Sequence, residues 1–236
     1  MNVTNLQSET IPTNIHPLAE GKILLVNKPY TWTSFNVVSK IRIWARRESG
    51  LKNIKVGHAG TLDPLATGLL ILCIGKFTKR IDEFQAFEKE YTGTFVLGST
   101  TKSFDLESEV IVSGDISKLT AKEVVDCAAH FTGNQMQTPP TFSAVKVDGK
   151  RAYELARENK EMTLTAKPIE IKVFEITRVA LPEIDFRIVC SKGTYIRAIA
   201  RDIGEYLGCG AYMSALCRTR IGNFKIEDAI NVQDIK

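Results

Sequence analysis

The stretch GHAGTLDPLATGLLILCIG, residues 57–75, most constrains the fold, because a loop rich in glycine, threonine and proline runs directly into an unbroken apolar segment. Short continuous apolar runs are typical of fully buried strands, so residues 69–74 predict a strand in the core. Asp63 then lies on a loop fixed to that core, where rigid scaffolds commonly hold functional residues. An Asp-Pro pair also commonly forms an ordinary turn. The local pattern leaves both interpretations of Asp63 open.

The length and composition indicate a globular protein. The chain has 236 residues, of which 44% are hydrophobic and 25% charged, enough for one large domain or two small ones. Its longest apolar run is far shorter than the roughly 20 residues that cross a bilayer. Residues 1–20 lack the basic and apolar regions of a signal peptide. We therefore expect a cytoplasmic protein with no membrane association, and a partly mobile N-terminal extension over residues 1–20.

The cysteines and the net charge limit the classes of site and partner. The five cysteines are scattered without a CxxC motif, and with three histidines the sequence offers no zinc-type cluster. The net charge of +4 permits a polyanionic partner without requiring one.

The first predicted helix has a basic side. Residues 22–29 predict a strand ended by proline, and residues 34–47 predict a helix from apolar residues at helical spacing. The opposite face of this helix is either a solvated surface or a surface that faces phosphates. Its cations are Lys40, Arg42, Arg46 and Arg47.

The rest of the chain mixes strands and helices without strict alternation. A strand over residues 91–97 places Tyr91 on the same face as core residues. Thr120 and Glu123 form a capping box for a helix that ends near residue 133. Two further strands, over about residues 169–179 and 184–190, lead into a helix that Thr194 can cap. This order favours an α+β fold with a mixed, mainly antiparallel sheet.

Two segments carry charges of uncertain role. Arg197 lies one residue from the apolar face of the last helix, so it is either a surface arginine whose stem packs on the core or an inward charge with a carboxylate partner. The pattern alone favours the first. Residues 135–160 form an excursion in which four cations, Lys146, Lys150, Arg151 and Arg157, interleave with Phe142 and Tyr153. Cations and aromatic rings together suit RNA, which supplies phosphates and exposed bases. We therefore predict RNA contacts for Lys146, Lys150 and Arg151.

Four segments carry a resemblance to a known family. GHAGTLDPLATGLL, EKEYTGTFVLGSTTKSFD, PPTFSAVKVDGKRAYELAR and SKGTYIRAIARDIG resemble, in order and spacing, the TruB family of tRNA pseudouridine synthases. The resemblance covers about residues 21–231. It implies a pseudouridine-synthase-like sheet flanked by helices and loops, in a catalytic domain over residues 21–236. Because the chain stops at residue 236, we expect no separate C-terminal RNA-binding domain of the PUA type.

The resemblance implies isomerisation of uridine 55 in the T loop of tRNA to pseudouridine. The glycosidic C–N bond breaks, the flipped base rotates, and C5 joins the ribose. Such a reaction needs a carboxylate and proton transfer, so we expect no metal and no organic cofactor. The expected partner is the T-arm stem-loop of tRNA, bound by a monomer with no obligate protein partner.

The resemblance also assigns roles to individual residues. Asp63 matches the family's essential aspartate, and Arg197 matches the arginine that pairs with it. Tyr91 matches the aromatic residue that stacks on the flipped uracil and is a candidate base for the C5 proton. His58 matches the residue that wedges into the T loop. Further site-lining matches are Lys28, Asp105 and Leu216.

Two other functions use some of the same residues. A non-catalytic tRNA-binding or tRNA-folding protein would use the basic and aromatic residues, but would not need Asp63 and Arg197 together. A uracil N-glycosidase acting on RNA would use the same aspartate to release free base. The mass of the treated RNA distinguishes a glycosidase from an isomerase, because isomerisation leaves that mass unchanged whereas a glycosidase removes a base.

Overall fold

A computed structural model describes residues 18, 20–143, 145–147, 149–158 and 162–235, without the side chains of Lys146 and Arg157. The N-terminal extension predicted over residues 1–20 lies almost wholly outside the described residues. The chain divides into two compact units, Met1–Phe87 with Arg218–Lys236, and Glu88–Cys217. Within the described part of the chain, no helix is long and apolar enough to cross a membrane.

Helices and strands are interspersed along the chain. The helices are α1 (Ser34–Ser49), α2 (Ile81–Gln85), α3 (Ala121–His130), α4 (Ala152–Arg157) and α5 (Ile196–Tyr206), with 3₁₀ turns at Gly75–Arg80, Ile226–Asp228 and Val232–Asp234. The strands are β1 (Lys22–Lys28), β2 (Val56–His58), β3 (Thr67–Ile74), β4 (Lys89–Leu97), β5 (Ser99–Thr100), β6 (Ile111–Val112), β7 (Gly133–Gln137), β8 (Lys146–Val147), β9 (Lys150–Arg151), β10 (Lys167–Ala180), β11 (Glu183–Cys190), β12 (Ala211–Ile221), β13 (Phe224–Lys225) and β14 (Ile230–Asn231).

Strand β3 organises the first unit, because both of its faces are buried. It pairs antiparallel with β1 along its length and with β2 near its C-terminal end. One face packs with α1, and the other packs with Phe84 and Ile221. A strand covered on both sides has no polar face, which explains the unbroken apolar run in the sequence. The residues of the two faces are Leu70, Leu72 and Ile74, and Leu69, Ile71 and Cys73.

Helix α1 begins where the sequence predicts and ends slightly later. Thr33 and Asn36 form a capping box, in which the side chain of each accepts from the backbone N–H of the other. The helix ends at Ser49, before Gly50 in the left-handed conformation with φ 69°. Its buried residues include the predicted apolar positions Val37, Val38, Ile41 and Ala45.

The second unit contains antiparallel strands in the order β4, β11, β10 and β7. Phe95 of β4 stacks on Phe186 of β11 with ring centroids 4.1 Å apart. Tyr91 is buried on the same face of β4 as Phe95, as predicted. Helix α3 starts at the predicted capping box of Thr120 and Glu123 and packs against β10.

The cap predicted for α5 is wrong. The Thr194 hydroxyl donates to the carbonyl of Ser191 at 3.0 Å and does not cap the helix, which follows Tyr195. The Gln137 side chain instead accepts from the Tyr195 N–H at 2.8 Å and donates to its carbonyl at 3.1 Å. A residue from a distant strand therefore satisfies backbone groups at this helix terminus.

The strand pairings confirm the predicted α+β class with a mixed, mainly antiparallel sheet. Among the described residues, parallel pairing of named strands joins β1 and β14. The predicted excursion over residues 135–160 starts in β7, which pairs with β10. Beyond β7, the described part contains the β8–β9 hairpin and α4. Asp148, between β8 and β9 in the sequence, lies outside the described residues.

Candidate active site

Asp63 lies on the loop that joins β2 to β3 in the first unit. Its carbonyl accepts a hydrogen bond from the Ala66 N–H at 3.1 Å, so the Asp-Pro pair does form a turn. At the start of the loop, the Ala59 N–H donates to the carbonyl of Ile71 at 2.9 Å. The Asp63 residue stays partly exposed. The turn is therefore formed by the backbone of Asp63.

Arg218 ties the loop to β3. This arginine is 1% exposed, and its Nε donates to the Leu69 carbonyl at 2.8 Å. Its two terminal nitrogens donate to the carbonyls of Gly60 at 3.1 Å and Thr61 at 3.5 Å. Buried cations are tolerated only where such hydrogen bonds satisfy them. The Arg218 guanidinium thus hydrogen-bonds both the loop and β3 and holds them together.

Gly68 allows the backbone of Arg218 to approach β3. Its φ is 106°, and a Cβ added there would lie 2.4 Å from the Arg218 carbonyl oxygen. L-residues rarely adopt this φ, and the contact leaves no room for a side chain. A glycine is therefore required where the loop enters β3.

Lys28 holds the other side of the turn. Its side chain is fully buried, and Nζ donates to the carbonyls of Trp32, of Pro29 at 3.0 Å and of Pro64 at 3.2 Å. Burial lowers the pKa of Lys28 to about 8, although the negative charge of Asp63 acts in the opposite direction. Lys28 is therefore mostly protonated at neutral pH, as a cation whose field acts on Asp63.

His58 ends β2, at the entrance to the loop. Burial and the nearby positive charge of Arg218 lower the pKa of His58 below its usual value. Its Nδ1 is buried without a hydrogen-bond partner among the described residues. The ring is consequently neutral at neutral pH.

Arg197 lies on the buried side of α5 in the second unit and is 6% exposed. The surface position that the helical pattern alone favours is therefore wrong. Its Nε lies 3.4 Å from the Asp105 carboxylate. Its terminal nitrogens donate to the carbonyls of Ser103 at 3.2 Å and Phe142 at 3.1 Å. Donors pointing in three directions fix the plane of the guanidinium.

Asp105 is itself held by the loop that follows β5. One carboxylate oxygen accepts from the Ser103 hydroxyl at 2.6 Å and from the Glu107 N–H at 3.0 Å. The preceding Phe104 has a φ of 59°, and its carbonyl accepts from the Met213 N–H at 2.9 Å. The Asp105 carboxylate is thus held by its own loop, in addition to its ion pair with Arg197.

The other predicted site residues have different surroundings. Tyr91 is buried on β4, opposite Ile188 of β11, and Leu216 is buried on β12. Lys150 and Arg151 are exposed in the β8–β9 hairpin, and the side chain of Lys146 is outside the described part. The structure thus groups Lys28, His58 and Asp63 in one unit, and Arg197 and Asp105 in the other. The pairing of Asp63 with Arg197 stays a prediction.

Family models match most of the chain. The model of the TruB family pseudouridylate synthase, N terminal domain, matches residues 46–196. The model of the tRNA pseudouridylate synthase B C-terminal domain matches residues 197–236. The chain belongs to the TruB family.

Individual TruB-family relatives align over nearly the whole chain. The chain is 54% identical over 214 residues to tRNA pseudouridine synthase B of Phocaeicola vulgatus, covering 91% of each protein. It is 51% identical over 221 residues to the Bacteroides thetaiotaomicron protein of the same name, covering 92% of each.

Solved structures show the same fold as this TruB-family chain. One is a Cbf5-Nop10-Gar1 complex, 29% identical with a TM-score of 0.69, covering 92% of this chain and 54% of the solved one. Another is an H/ACA RNP bound to a substrate RNA containing 2′-deoxyuridine, 26% identical with a TM-score of 0.65. This match covers 90% of this chain and 51% of the solved one. The chain spans about half the length of these solved chains. They confirm the predicted pseudouridine-synthase-like fold.

Sequence reasoning missed three supporting residues of this TruB-family chain: Ser34 and Arg218, which hold the Asp63 loop, and Gln137, which binds the start of α5. Arg218 carried a usable signal, because it lies two residues after Leu216 and therefore on the same face of a strand. An arginine on a buried face is unusual and needs partners. Ser34 and Gln137 carried no such signal, since their partners are distant in sequence.

Proposed function

We propose that this TruB-family enzyme isomerises uridine 55 in the T loop of tRNA to pseudouridine. The observation that carries the proposal is the Asp63 loop. Buried donors from Lys28 and Arg218 hold its backbone carbonyls, while the Asp63 residue stays partly exposed. A carboxylate held in this way needs little reorganisation when it reacts. Relatives that are 54% and 51% identical are named tRNA pseudouridine synthase B.

The reaction is balanced without any added reagent. The bond from C1′ to N1 of uracil breaks, the base rotates while bound, and a bond from C1′ to C5 forms. C5 loses its proton and N1 gains one, so the product has the same mass as the substrate. Asp63 supplies the anionic group on which this exchange depends. Lys28 and Arg218 place positive charge beside the Asp63 loop in the same unit.

Other residues take the roles that the family resemblance implies. Arg197 is the guanidinium partner of the catalytic aspartate, and its three fixed donor directions support such a role. Tyr91 stacks on the flipped uracil and handles the C5 proton. His58 enters the T loop as a neutral ring, which costs less to insert among bases than an imidazolium. The remaining residues that line the site are Lys28, Asp105 and Leu216.

Substrate capture uses the exposed cations of the hairpin. Lys150 and Arg151 contact tRNA phosphates, together with Lys146 as the sequence predicts. Because the substrate is tRNA, we place the enzyme in the cytoplasm.

One experiment separates the three functions that share these residues. Purified protein is incubated with an unmodified T-arm stem-loop, and the RNA is then analysed as nucleosides and by intact mass. Pseudouridine at unchanged mass is the expected result. Free uracil with a loss of mass would instead identify a glycosidase, and binding without either product would identify a non-catalytic RNA-binding protein.

A further inference from the structure

Positive charge is concentrated in α1 and the segment that follows it. Residues 34–58 contain six lysines and arginines against the single acid Glu48, a net charge of +5. The whole chain has a net charge of only +4. The remainder of the chain is therefore slightly negative, and the basic character of the protein depends on this segment.

Most of these cations are not neutralised by carboxylates. Lys40, Arg46 and Lys52 have no ion-pair partner among the described residues, whereas Arg47 pairs with Glu48 at 3.0 Å. Several other cations in the described part of the chain have such partners. The pairs are Lys76 with Glu20, Arg80 with Glu83, Lys122 with Asp126, Lys172 with Glu88, Arg178 with Asp185, and Arg187 with Glu90.

The same side of α1 exposes apolar residues. Ile43 is 68% exposed and Phe35 is 65% exposed. Residues three or four apart are neighbours on a helix surface, so Lys40, Arg46 and Arg47 surround Ile43. We call this surface, made of Phe35, Lys40, Ile43, Arg46 and Arg47, the basic face of α1.

Exposed cations beside exposed apolar side chains suit contact with RNA better than exposure to water or contact with a membrane. A helix that is only solvated gains nothing from an exposed isoleucine and phenylalanine. A helix that lies on a membrane inserts its apolar side, but that side of α1 is buried in the core of the first unit. RNA presents phosphates to cations, and riboses and bases to apolar side chains.

The basic face starts beside the Asp63 loop and extends away from it. Ser34, in the first turn of α1, is hydrogen-bonded to Leu62, the residue before Asp63. Arg42 donates to the carbonyl of Val56 at 3.3 Å, close to His58 in β2. At 1.5 Å per residue, Arg46 lies about 18 Å from Ser34 along the helix axis. The phosphates within its reach are therefore distant from the reacting uridine.

We propose that the basic face of α1 is a second RNA-binding surface, which holds the sugar–phosphate backbone of tRNA outside the T loop. The inference rests on the proposed function, since it takes tRNA as the substrate. Its contacts position the RNA and contribute affinity. The bond exchange at uridine 55 is carried out at the Asp63 loop.

The test compares two double variants with equal loss of charge. Arg46→Gln with Arg47→Gln alters the basic face, and Lys118→Gln with Lys122→Gln alters exposed lysines of the other unit. Dissociation constants for whole tRNA are measured over a series of salt concentrations. The arginine variant should bind on the order of tenfold more weakly, with a salt slope about 1.5 shallower, because about two phosphate contacts are lost. The lysine variant should bind as the wild type does.

Wild-type affinity and salt slope in the arginine variant would overturn the proposal, and would leave a protein as the partner of this face. A photoreactive residue at position 43, in an otherwise wild-type chain, gives a measurement that does not depend on removing charge. Crosslinks should map to tRNA nucleotides outside the T loop, and their absence would overturn the proposal. Pseudouridine formation by the wild type, assayed alongside, tests the proposed function separately.

Discussion

Ser34 and Leu62, 28 positions apart in the chain, are joined by two hydrogen bonds. The Ser34 hydroxyl accepts from the Leu62 N–H at 2.9 Å and donates to the Leu62 carbonyl at 3.1 Å. Ser34 starts α1, and Leu62 immediately precedes Asp63. One hydroxyl thus connects the first turn of α1 to the residue that presents the candidate catalytic carboxylate.

Replacing this hydroxyl should loosen the loop. Ser34→Ala leaves both buried backbone groups of Leu62 unsatisfied, at a cost of about 1–3 kcal/mol in the free energy of unfolding. The rate of pseudouridine formation should fall on the order of tenfold, because Asp63 is held less accurately. Urea unfolding and single-turnover kinetics measure the two effects. Ser49→Ala is the control, because that hydroxyl bonds locally at the end of α1, to the Ala45 carbonyl and to the N–H of Leu51 just beyond the helix. Equal effects from both variants would contradict the role of Ser34.

Asp63→Asn should abolish pseudouridine formation and leave the fold and the RNA affinity nearly unchanged. The substitution keeps the volume of the side chain but removes its charge and one acceptor oxygen. Turnover is measured by nucleoside analysis, and affinity by titration with the same stem-loop. Activity above about a thousandth of the wild-type rate would remove Asp63 from the central role.

Arg197→Lys should also be severely impaired, because a point charge cannot replace three donors in one plane. The guanidinium contacts Asp105 and the carbonyls of Ser103 and Phe142. Arg201→Lys is the matched control, one turn later on the same helix, where the arginine pairs with Asp202 at 2.7 Å. The catalytic efficiency of both variants is compared at one salt concentration. A similar small loss in both would make Arg197 an ordinary structural residue.

Local patterns in the sequence predicted the elements whose environment is set by nearby residues. The apolar run in β3, the capping box of α3 and the inward position of Tyr91 all follow from short-range periodicity. These features depend on which side of a strand or helix a residue occupies. A strand with both faces buried appears as a continuous apolar run, whereas a strand with one buried face alternates between apolar and polar residues.

The supports of the site depend on contacts that periodicity does not encode. Arg218 bonds to Leu69 across 149 positions, and Gln137 bonds to Tyr195 across 58. The prediction that Thr194 caps α5 failed because capping rules consider only neighbouring residues, and the side-chain amide that binds this terminus belongs to the distant Gln137. Arg197 was assigned inward only through the resemblance to a family, since its helical position alone favoured the surface.

Tyr91→Phe separates stacking from proton transfer. The ring and its burial on β4 are kept, so RNA affinity should stay near that of the wild type. Product should form slowly or not at all, because the hydroxyl that handles the C5 proton is missing. Binding is measured by titration, and the rate by release of tritium from uracil labelled at C5. A wild-type rate of release would leave Tyr91 with stacking alone.

The depressed pKa of His58 predicts a loss of stability in acid. Burial and the charge of Arg218 keep the folded-state pKa below the unfolded value of about 6.5. In the range between these two values, the unfolded state binds a proton that the folded state does not. The free energy of unfolding should therefore be highest above about pH 6.5 and fall as the pH drops toward the folded-state pKa.

His58→Gln should remove this part of the pH dependence, because glutamine does not titrate. The measurement is urea unfolding at closely spaced pH values between about 5 and 8, a window centred on the unfolded pKa of histidine. The wild type, unfolded in urea over the same series of pH values, is the control. If His58→Gln kept the full slope, His58 would be free to take up a proton in the folded state. It could then enter the T loop as a cation, contrary to the neutral wedge proposed for it.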